Sequence, residues 1–592
     1  MPPAIAIGAS LFGTWAVGAI GLTGILGTIV GGLISMGVSS IANSLFGDKS
    51  AGGGASGVKD SGILVTDQGN QSAIPVVYGT RKIAGTRVYI TTTDKNQYLE
   101  IVYALAEGEI ESIDAMYFNG VKVLKGPLNS RGGGKLPAGI KDTSEGGKDW
   151  SGAFTGEYRL GTDGQSAFGE LIKNTKDFKE GKWTTDHRLA GVACVYLRLK
   201  FNRDLFQGIP EVQFDVSGSR IRSVLDLNVA PRLSTNPADI LYDYLNANKP
   251  YSKGIPANLI DINSFKTAAQ YCNEIESDVG NRKRYELNGH IDTADSMFSN
   301  VKRILSNFNA MLVFSGGVYK LIINKPEAST GFVFNEENVI GKIDMQLGSK
   351  EVRLNKVKAN FFNPDLDWAA DVYVANNTDY YNYDGKTELL REIDFAMVGD
   401  RRRVGYISQI IMNQSRYCGT VSFRAAPSAL NVEVGQVVEL QHEFIFGDSN
   451  SRYYRVMGLK LNADTTVDVT LQEYNSAVYD ITPVEARPVT GRVPRPNVNT
   501  SIPPTGPLVL VNKREVLKDG GVLNSLAISW TAAPTDDVRN YEVTITNNTA
   551  KTTVIVTTQN TFINYTDIVD GDNYSVEVRT VNSVGARSGA LA

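Results

Sequence analysis

The stretch Asn236-Pro237-Ala238-Asp239-Ile240-Leu241-Tyr242-Asp243-Tyr244-Leu245 opens the helical part of the chain, between two regions of alternating β pattern. Asn236 is a residue type that caps helix N-termini, and Pro237 follows at the first helical position, where a missing N–H is tolerated. One face of this helix would be apolar, formed by Ile240, Leu241, Tyr244 and Leu245. The stretch therefore predicts an amphipathic helix packed against a core.

The residues from 231 to 335 predict an α/β domain around that helix. A second helix is expected to begin near Asp261, with an apolar stripe of Phe265, Ala268, Ala269 and Cys272. A third is expected to begin near Asp292 and Thr293, with Met297, Val301, Ile304, Leu305 and Phe308 facing inward. The alternating run Met311–Ile323 contains Gly316-Gly317 and predicts a β-hairpin.

β patterns flank the helical part on both sides. Residues 73–230 contain strand-like segments, one of which ends at Asn119-Gly120, a strong hairpin-turn signal. A polar, glycine-rich insertion on the surface of this β domain is expected at about 121–188. Residues 336–482 predict a second β domain with one helix over Arg401–Gln414 and strands over Val432–Leu440 and Tyr453–Met457. The fold class predicted is mainly β with a helical insertion (α+β).

The C-terminal part has a different pattern. A proline-punctuated linker covers residues 483–506, and residues 507–592 contain alternating strands such as Leu526–Trp530, Tyr541–Ile545 and Tyr574–Arg579. This arrangement is typical of a fibronectin type III sandwich. The pattern stops before the final strand of such a sandwich. We therefore expect the natural polypeptide to continue beyond Ala592, unless a short final strand lies within Arg587–Ala592.

The first 47 residues contain no charged side chain and are rich in Gly, Ala and Ser. They predict an apolar helical segment, followed by a Gly/Ser-rich linker over 48–72. The apolar residues proposed to enter a lumen or membrane are Leu11, Phe12, Trp15, Val17, Ile20, Leu22, Ile25, Leu26, Ile29, Val30 and Leu33. The glycines proposed to pack helices closely are Gly18, Gly21, Gly24, Gly27 and Gly31. Three interpretations stay open: shelter by other protein, a membrane anchor over residues 4–46, or a signal-like segment.

Composition and motifs argue against chemistry. The 59 Lys plus Arg against 63 Asp plus Glu give no basic excess for nucleic-acid binding, and the three Cys and three His have no metal-ligand spacing. The Arg131–Lys135 loop lacks P-loop spacing and is expected to be a flexible docking loop. Glu107 and Glu109 are expected to flank a turn. An acidic series is expected to be a solvated surface rather than a Ca²⁺ site: Asp365, Asp367, Asp371, Asp379 and Asp384. We predict no catalytic residue, cofactor or metal.

Several short motifs occur in a fixed order over roughly residues 70–480. They are Ile74–Gly79, Glu107–Ile110, Gly161–Gln165, Phe206–Pro210, Asn236–Leu245 with Tyr251 and Gly254-Ile255, Ala269–Asn273, Glu473–Asn475 and Val478–Asp480. Together they resemble the tip attachment protein J family of lambda-like siphophages, whose core is similar to the trimeric hub of contractile tails. One departure is Gln436, where the family usually has Asp.

The resemblance implies a homotrimer of β-barrel-like hub domains around the tail axis. It also implies as partners the distal tail protein, the tape measure protein, and other tail-tip and receptor-binding proteins. The predicted function is a structural hub at the distal tail tip of the virion, assembled in the host bacterial cytoplasm and opening for DNA ejection. It would meet the host surface indirectly. The alternative is a membrane-anchored bacterial surface adhesin, and a third class is a tail-associated wall hydrolase.

Overall fold

A computed structural model describes residues 73–141, 148–202, 205–206, 209–247, 254–348, 352–447, 451–484, 502–516, 522–534, 538–582 and 587–592. The chain divides into two compact units, with the boundary after Arg487. The apolar residues between Leu11 and Leu33, and the glycines among them, lie outside the described residues. Among the helices within the described ranges, none has the length and apolar character needed to cross a bilayer. The protein is mainly β, with several antiparallel sheets and a few short helices.

The N-terminal β region contains two sheets whose facing sides form one apolar core. Its elements are β1 Val76–Tyr78, β2 Thr80–Ile83, β3 Thr86–Thr93, β4 Tyr98–Glu107, β5 Ile110–Phe118, β6 Val121–Leu128, β7 Gly134–Lys135, β8 Phe154–Leu160, α1 Gly169–Asn174, β9 Val192–Lys200 and β10 Val212–Ile221. One sheet has the order β3-β4-β9-β8-β7, and in the other β10 pairs with both β5 and β2.

The segment at 121–188 is more integrated than the surface insertion that we predicted. β6 pairs with β5 across the predicted Asn119-Gly120 turn, and β8 pairs with β9 in the middle of a sheet. Trp150 and Phe154 are buried in the core, where both rings pack edge-to-face on Phe118. Glycine richness suggested a surface loop, but the few aromatic residues of the segment decide its placement because they bury large apolar areas.

The helical region follows. Its elements are β11 Arg232–Leu233, α2 Pro237–Asn246, α3 Ile262–Asn273, β12 Ile275–Glu276, β13 Arg282–Lys283, β14 Gly289–Ile291, α4 Met297–Ser306, β15 Ala310–Ser315 and β16 Val318–Ile323. The predicted caps Asn236 and Asp261 both accept backbone N–H groups. The predicted start of the third helix was wrong: Asp292 accepts the N–H of Ala294 in a turn, and the helix begins after Ser296, which accepts the N–H of Ser299.

Residues 329–473 form two further sheets. Their elements are β17 Ser329–Phe334, β18 Val339–Gln346, β19 Lys356–Asn363, β20 Ala369–Asn376, α5 Thr378–Tyr383, β21 Leu390–Phe395, α6 Arg401–Gln414, β22 Thr420–Ala425, β23 Val437–Gln441, α7 Glu443–Phe446, β24 Ser451–Leu461 and β25 Val467–Glu473. One sheet has the order β17-β23-β24-β25-β22-β18 and the other β20-β19-β21. Helix α6 has the predicted bounds. The strand predicted from Val432 begins only at Val437, because Gly435 (φ +95°) turns the chain.

The helices α2–α4 share one apolar core with β19, β21 and α6. Buried residues of the six-stranded sheet form a separate apolar core, in which Phe334 and Phe423 are in edge-to-face contact. The domain boundaries predicted from the sequence stay predictions.

The C-terminal unit consists of two three-stranded sheets around a core that contains Trp530 and Tyr541. Its strands are β26 Thr505–Val516, β27 Val522–Thr531, β28 Asn540–Asn547, β29 Thr552–Thr558, β30 Phe562–Tyr565 and β31 Tyr574–Val581. The sheet orders are β26-β27-β30 and β29-β28-β31. Single bridges join Arg587 to Val581 and Leu591 to Val578. The two-sheet arrangement agrees with a sandwich, and its fibronectin type III identity stays a prediction.

Candidate functional site: joints built from the sequence motifs

Gln165 joins two separate segments of the N-terminal β region. Its side chain is 3% exposed. Its Oε1 accepts the backbone N–H of Gly161 at 3.0 Å, and its Nε2 lies 3.0 Å from the Val192 carbonyl oxygen. The same nitrogen is 3.0 and 2.5 Å from the carbonyl oxygens of Arg188 and Leu189. One amide therefore ties the loop after β8 to the chain that enters β9, and its role is structural.

The glycines beside Gln165 allow two backbones to come unusually close. Gly161 has φ +88°, and a Cβ built there would lie 2.1 Å from the carbonyl oxygen of Gly108. Gly108 in turn donates its N–H to Gly191 at 2.7 Å, and Glu107 donates its N–H to the Pro75 carbonyl at 2.9 Å. Three motifs that lie far apart in sequence thus meet through main-chain contacts, and the approach of Gly161 to Gly108 is one that only glycine permits.

The Asn236–Leu245 motif fastens helix α2 to its surroundings. Asp239 is 3% exposed and accepts the N–H of Val224 and the hydroxyl of Ser234, both at 2.7 Å. Burial raises the pKa of Asp239, against the effect of these hydrogen bonds. Asn236 caps the helix and also donates its Nδ2–H to the Ala269 carbonyl on α3 at 2.9 Å. The Asp239 carboxylate and the Asn236 amide therefore form hydrogen bonds within the chain.

The Ile74–Gly79 motif connects the N-terminal β region with the helical region. The Tyr78 hydroxyl, on a fully buried side chain, donates to Asp243 of α2 at 2.9 Å. The next residue is Gly79 (φ +65°), where a Cβ would lie 2.4 Å from atoms of Leu287 and Asn288. Asn288 also accepts the N–H of Thr80 at 2.9 Å. The turn between β1 and β2 is thus seated directly on the helical region.

A second connection, between β2 and the turn from β19 to β20, was missed by the sequence analysis. The buried guanidinium of Arg81 lies 4.4 Å from the Phe362 ring centroid and 4.8 Å from that of Trp368. The neighbouring Lys82 is 1% exposed, and its Nζ lies 2.5 Å from Asp367 Oδ1 and 3.7 Å from the centroid of the Tyr117 ring. We call these contacts the cation clamp. Its signal in the sequence is a pair of adjacent cations, Arg81 and Lys82, within a short strand of four residues.

The Glu473–Asn475 and Val478–Asp480 motifs make a third connection. Tyr479 donates its hydroxyl to Asn324 Oδ1 at 2.6 Å, and Arg455 of β24 reaches the same oxygen at 3.1 Å. Tyr474 accepts the N–H of Glu327 at 2.8 Å. Burial raises the pKa of the Tyr479 phenol. The segment after β25 is therefore anchored to the segment that leaves β16.

Side chains considered for phosphate binding, glycan cleavage or Ca²⁺ binding form ion pairs and hydrogen bonds within the chain. Arg131 pairs with Glu109 at 3.3 Å and Glu111 at 3.0 Å, and Gly133 packs against the backbone of Tyr158, so this loop is pinned to the sheet. The prediction of a flexible docking loop was therefore wrong. Asp384 forms two hydrogen bonds with Arg416, at 2.8 and 2.6 Å.

Metal-binding and nucleophilic groups show the same pattern. Within the described ranges, no group of three or more His, Cys, Asp or Glu side chains could hold a metal ion. Cys194 and Cys272 are fully buried, and desolvation raises the pKa of both thiols, that of Cys194 to about 12. Such thiols are poor nucleophiles because they stay protonated. The motifs form joints between segments of the chain.

Comparisons with known proteins agree with a structural role. A family model described as "Putative phage tail protein" matches residues 297–459. Baseplate hub protein pb3 of Escherichia phage T5 is 24% identical over 463 residues, which cover 69% of this chain and 48% of that protein. The chain thus spans about half the length of this curated relative.

Two solved structures match the chain with TM-scores below 0.5. A chain of the virion of a native gene transfer agent particle is 14% identical, with 80% of this chain and 98% of that chain covered and a TM-score of 0.49. The 43 kDa tail protein of prophage MuSo2 from Shewanella oneidensis is 8% identical, with 69% and 100% covered and a TM-score of 0.25. The family model and the curated relative thus make the chain similar to phage tail proteins, with distant homology to a baseplate hub protein.

Proposed function

We propose that this chain is the central hub, or tip attachment protein, of a siphophage tail. The observation that carries the proposal is the similarity to a baseplate hub protein over 463 residues, 69% of the chain. Three copies would close the distal end of the tail tube, contact the tape measure protein and the distal tail protein, and support receptor-binding parts. The closure would open when DNA is ejected into the host.

The joints support a mechanical role without catalysis. A hub that closes a tube must keep its segments in register under load, and contacts between backbones are stiffer than contacts between long side chains. The close approach of the Gly161 and Gly108 backbones is of this kind, and the buried Gln165 amide and the Tyr78–Asp243 hydrogen bond tie further segments together. We assign no catalytic residue, cofactor or metal to the chain, and we place it at the distal tail tip of the virion.

The apolar segment 1–47 is proposed to be sheltered by the closed tip, in the tail lumen or against the tape measure protein. Its exposure on opening would favour entry into the host membrane, at about 25 cal/mol per Å² of apolar surface. A phage from which residues 3–45 are deleted should assemble but eject poorly into cells. Normal ejection by this deletion phage would refute the membrane role and leave a plain assembly anchor.

Immunogold labelling tests the hub assignment. Antibodies against residues 60–480 would be applied to purified phage particles and to thin sections of cells that produce the chain. Gold at the end of the tail opposite the head is expected. Gold spread over bacterial envelopes would instead identify a surface adhesin. A zymogram on peptidoglycan is expected to show no clearing, and clearing by the pure chain would identify a wall hydrolase.

A further inference from the structure

The six-stranded sheet carries an exposed apolar projection. Helix α7 lies between β23 and β24, and its Phe444 is 95% exposed while Ile445 is 38% exposed. The turn is fixed, because Phe446 and Gly447 donate N–H groups to His442 at 2.9 Å and to Glu443 at 2.8 Å. We call Phe444 and Ile445 the apolar tip. The two adjacent exposed side chains form a small contiguous apolar surface, the kind of feature that marks an interaction site when it is larger than a single residue.

The N-terminal β region carries an apolar cavity of about 600 Å³ that is open on one side. Its apolar lining comes from the starts and ends of β4 and β9 and from the segment before β10: Tyr98, Leu99, Leu199, Phe201, Phe206, Ile209 and Pro210. Phe201 and Ile209 are 63% and 52% exposed at its edge. This volume lies within the range of about 300–1,000 Å³ that ligand pockets have, and it accommodates a phenyl ring and an isoleucine side chain.

The two surfaces carry opposite charge. Exposed carboxylates lie near the apolar tip: Glu443 in α7, and Glu336, which is 3.8 Å from His442 and is followed by Glu337. The exposed guanidinium of Arg452 lies 5.2 Å from the Phe446 ring centroid, so carboxylates are in excess on this surface. Exposed ammonium groups surround the cavity: Lys200 in its lining, Lys95 in the adjacent turn, and Lys148, which donates to the carbonyl of Leu205. The nearby Asp94 is already paired with Arg198 at 2.7 Å.

We propose that the apolar tip of one copy of this chain docks in the cavity of a neighbouring copy. Within one chain Phe444 is 95% exposed, so its own cavity does not hold it. Two different surfaces that fit each other make a head-to-tail contact, and such contacts close into a ring when the rotation between copies allows. The proposal rests on the proposed function, since it assigns the contact between copies of the hub, and it names the residues that form that contact.

Photo-crosslinking tests the docking in the full chain. Benzoylphenylalanine would replace Phe444, and ¹⁵N-labelled and unlabelled chains would be mixed before irradiation. Mass spectrometry is expected to find mixed-label adducts with peptides from residues 196–210. The matched control places benzoylphenylalanine at Tyr383, an 81% exposed aromatic residue on α5, which should give no such adduct. Adducts only with residues 1–47, only with another tail protein, only within one copy, or none at all would each overturn the proposal.

A second measurement uses self-association. Phe444→Asp should weaken association of the full chain by more than about tenfold, as loss of a central aromatic anchor does, whereas Tyr383→Asp should change it less than twofold. Unchanged association of a folded Phe444→Asp chain, or a wild-type chain that stays monomeric, would overturn the docking. Immunogold labelling decides the hub assignment independently, so failure of the docking leaves that assignment standing.

Discussion

Gln165 offers the sharpest test of the joints. Gln165→Leu keeps the size of the side chain but removes every hydrogen bond of the amide. The Gly161 N–H and the Val192 carbonyl then lose partners at 3.0 Å in a site where Gln165 is 3% exposed. An unsatisfied buried polar group costs about 1–3 kcal/mol, so the two together should cost about 3 kcal/mol. Arg188 is exposed, so water can replace the amide there, and the Leu189 carbonyl keeps the N–H of Val192 as a donor.

Hydrogen exchange in the full chain measures this cost locally, which suits a protein of several domains. A loss of 3 kcal/mol corresponds to about a 100-fold drop in protection, expected for amides near residues 161–165 and 189–194. Amides of the C-terminal unit provide an internal reference. The matched control is Gln441→Leu, an exposed glutamine on β23, where the change should stay within about 0.5 kcal/mol. Unchanged protection around Gln165 in the variant would refute the reasoning.

Three further predictions concern the other joints. A double-mutant cycle of Lys82→Met and Asp367→Asn, read by hydrogen exchange of β2, should give a coupling free energy of about 1 kcal/mol between the two side chains. The value is modest because the Asp367 side chain is 44% exposed, and a coupling of zero would contradict the ion pair. Burial raises the pKa of Asp239, so the folded chain binds a proton more readily than the unfolded chain. The free energy of unfolding of wild type, relative to that of Asp239→Asn, should therefore rise as pH falls from 7 towards 3.8 through the raised pKa. Urea unfolding measures this difference, and a difference that does not depend on pH would contradict the prediction. Gly161→Ala places a Cβ 2.1 Å from a backbone oxygen and should destabilise the N-terminal β region by more than about 3 kcal/mol, measured by hydrogen exchange. The control is Gly164→Ala, whose Cβ would have no atom within 4 Å and should cause no such loss. Equal effects of the two substitutions would contradict the close approach.

Local signals were sufficient for much of the fold. Helix α6 runs over the predicted Arg401–Gln414 because a cap at Asp400 and an apolar stripe coincide. The hairpin at Gly316-Gly317 also forms as predicted. The third helix begins four residues later than predicted, because Asp292 and Ser296 are both good caps and the choice between them depends on packing. Local pattern does not resolve such competition.

The joints depend on contacts between distant residues, which no local pattern contains. Lys82 and Asp367 are 285 positions apart, and only the folded chain brings them together. The motifs were recognised as an ordered set, but their physical reason was not visible in the sequence: Gly161 is required because Gly108 lies opposite it. The tip and the cavity were missed too, because an exposed Phe444 and a buried one look the same in a sequence.

The cation clamp also has a consequence for how the chain folds. β2 has four residues and pairs along one side with β10, placing Arg81 opposite Val216 and Lys82 opposite Asp215. So short a strand could slide by one residue at little loss of main-chain hydrogen bonding, and a slide of one residue turns every side chain to the other face. A slide in one direction would carry Lys82 into the fully buried position of Ile83, and a slide in the other would place the apolar Ile83 opposite Asp367. Burying a cation without a partner carries a large penalty, so the adjacent cations favour one alignment of the strand.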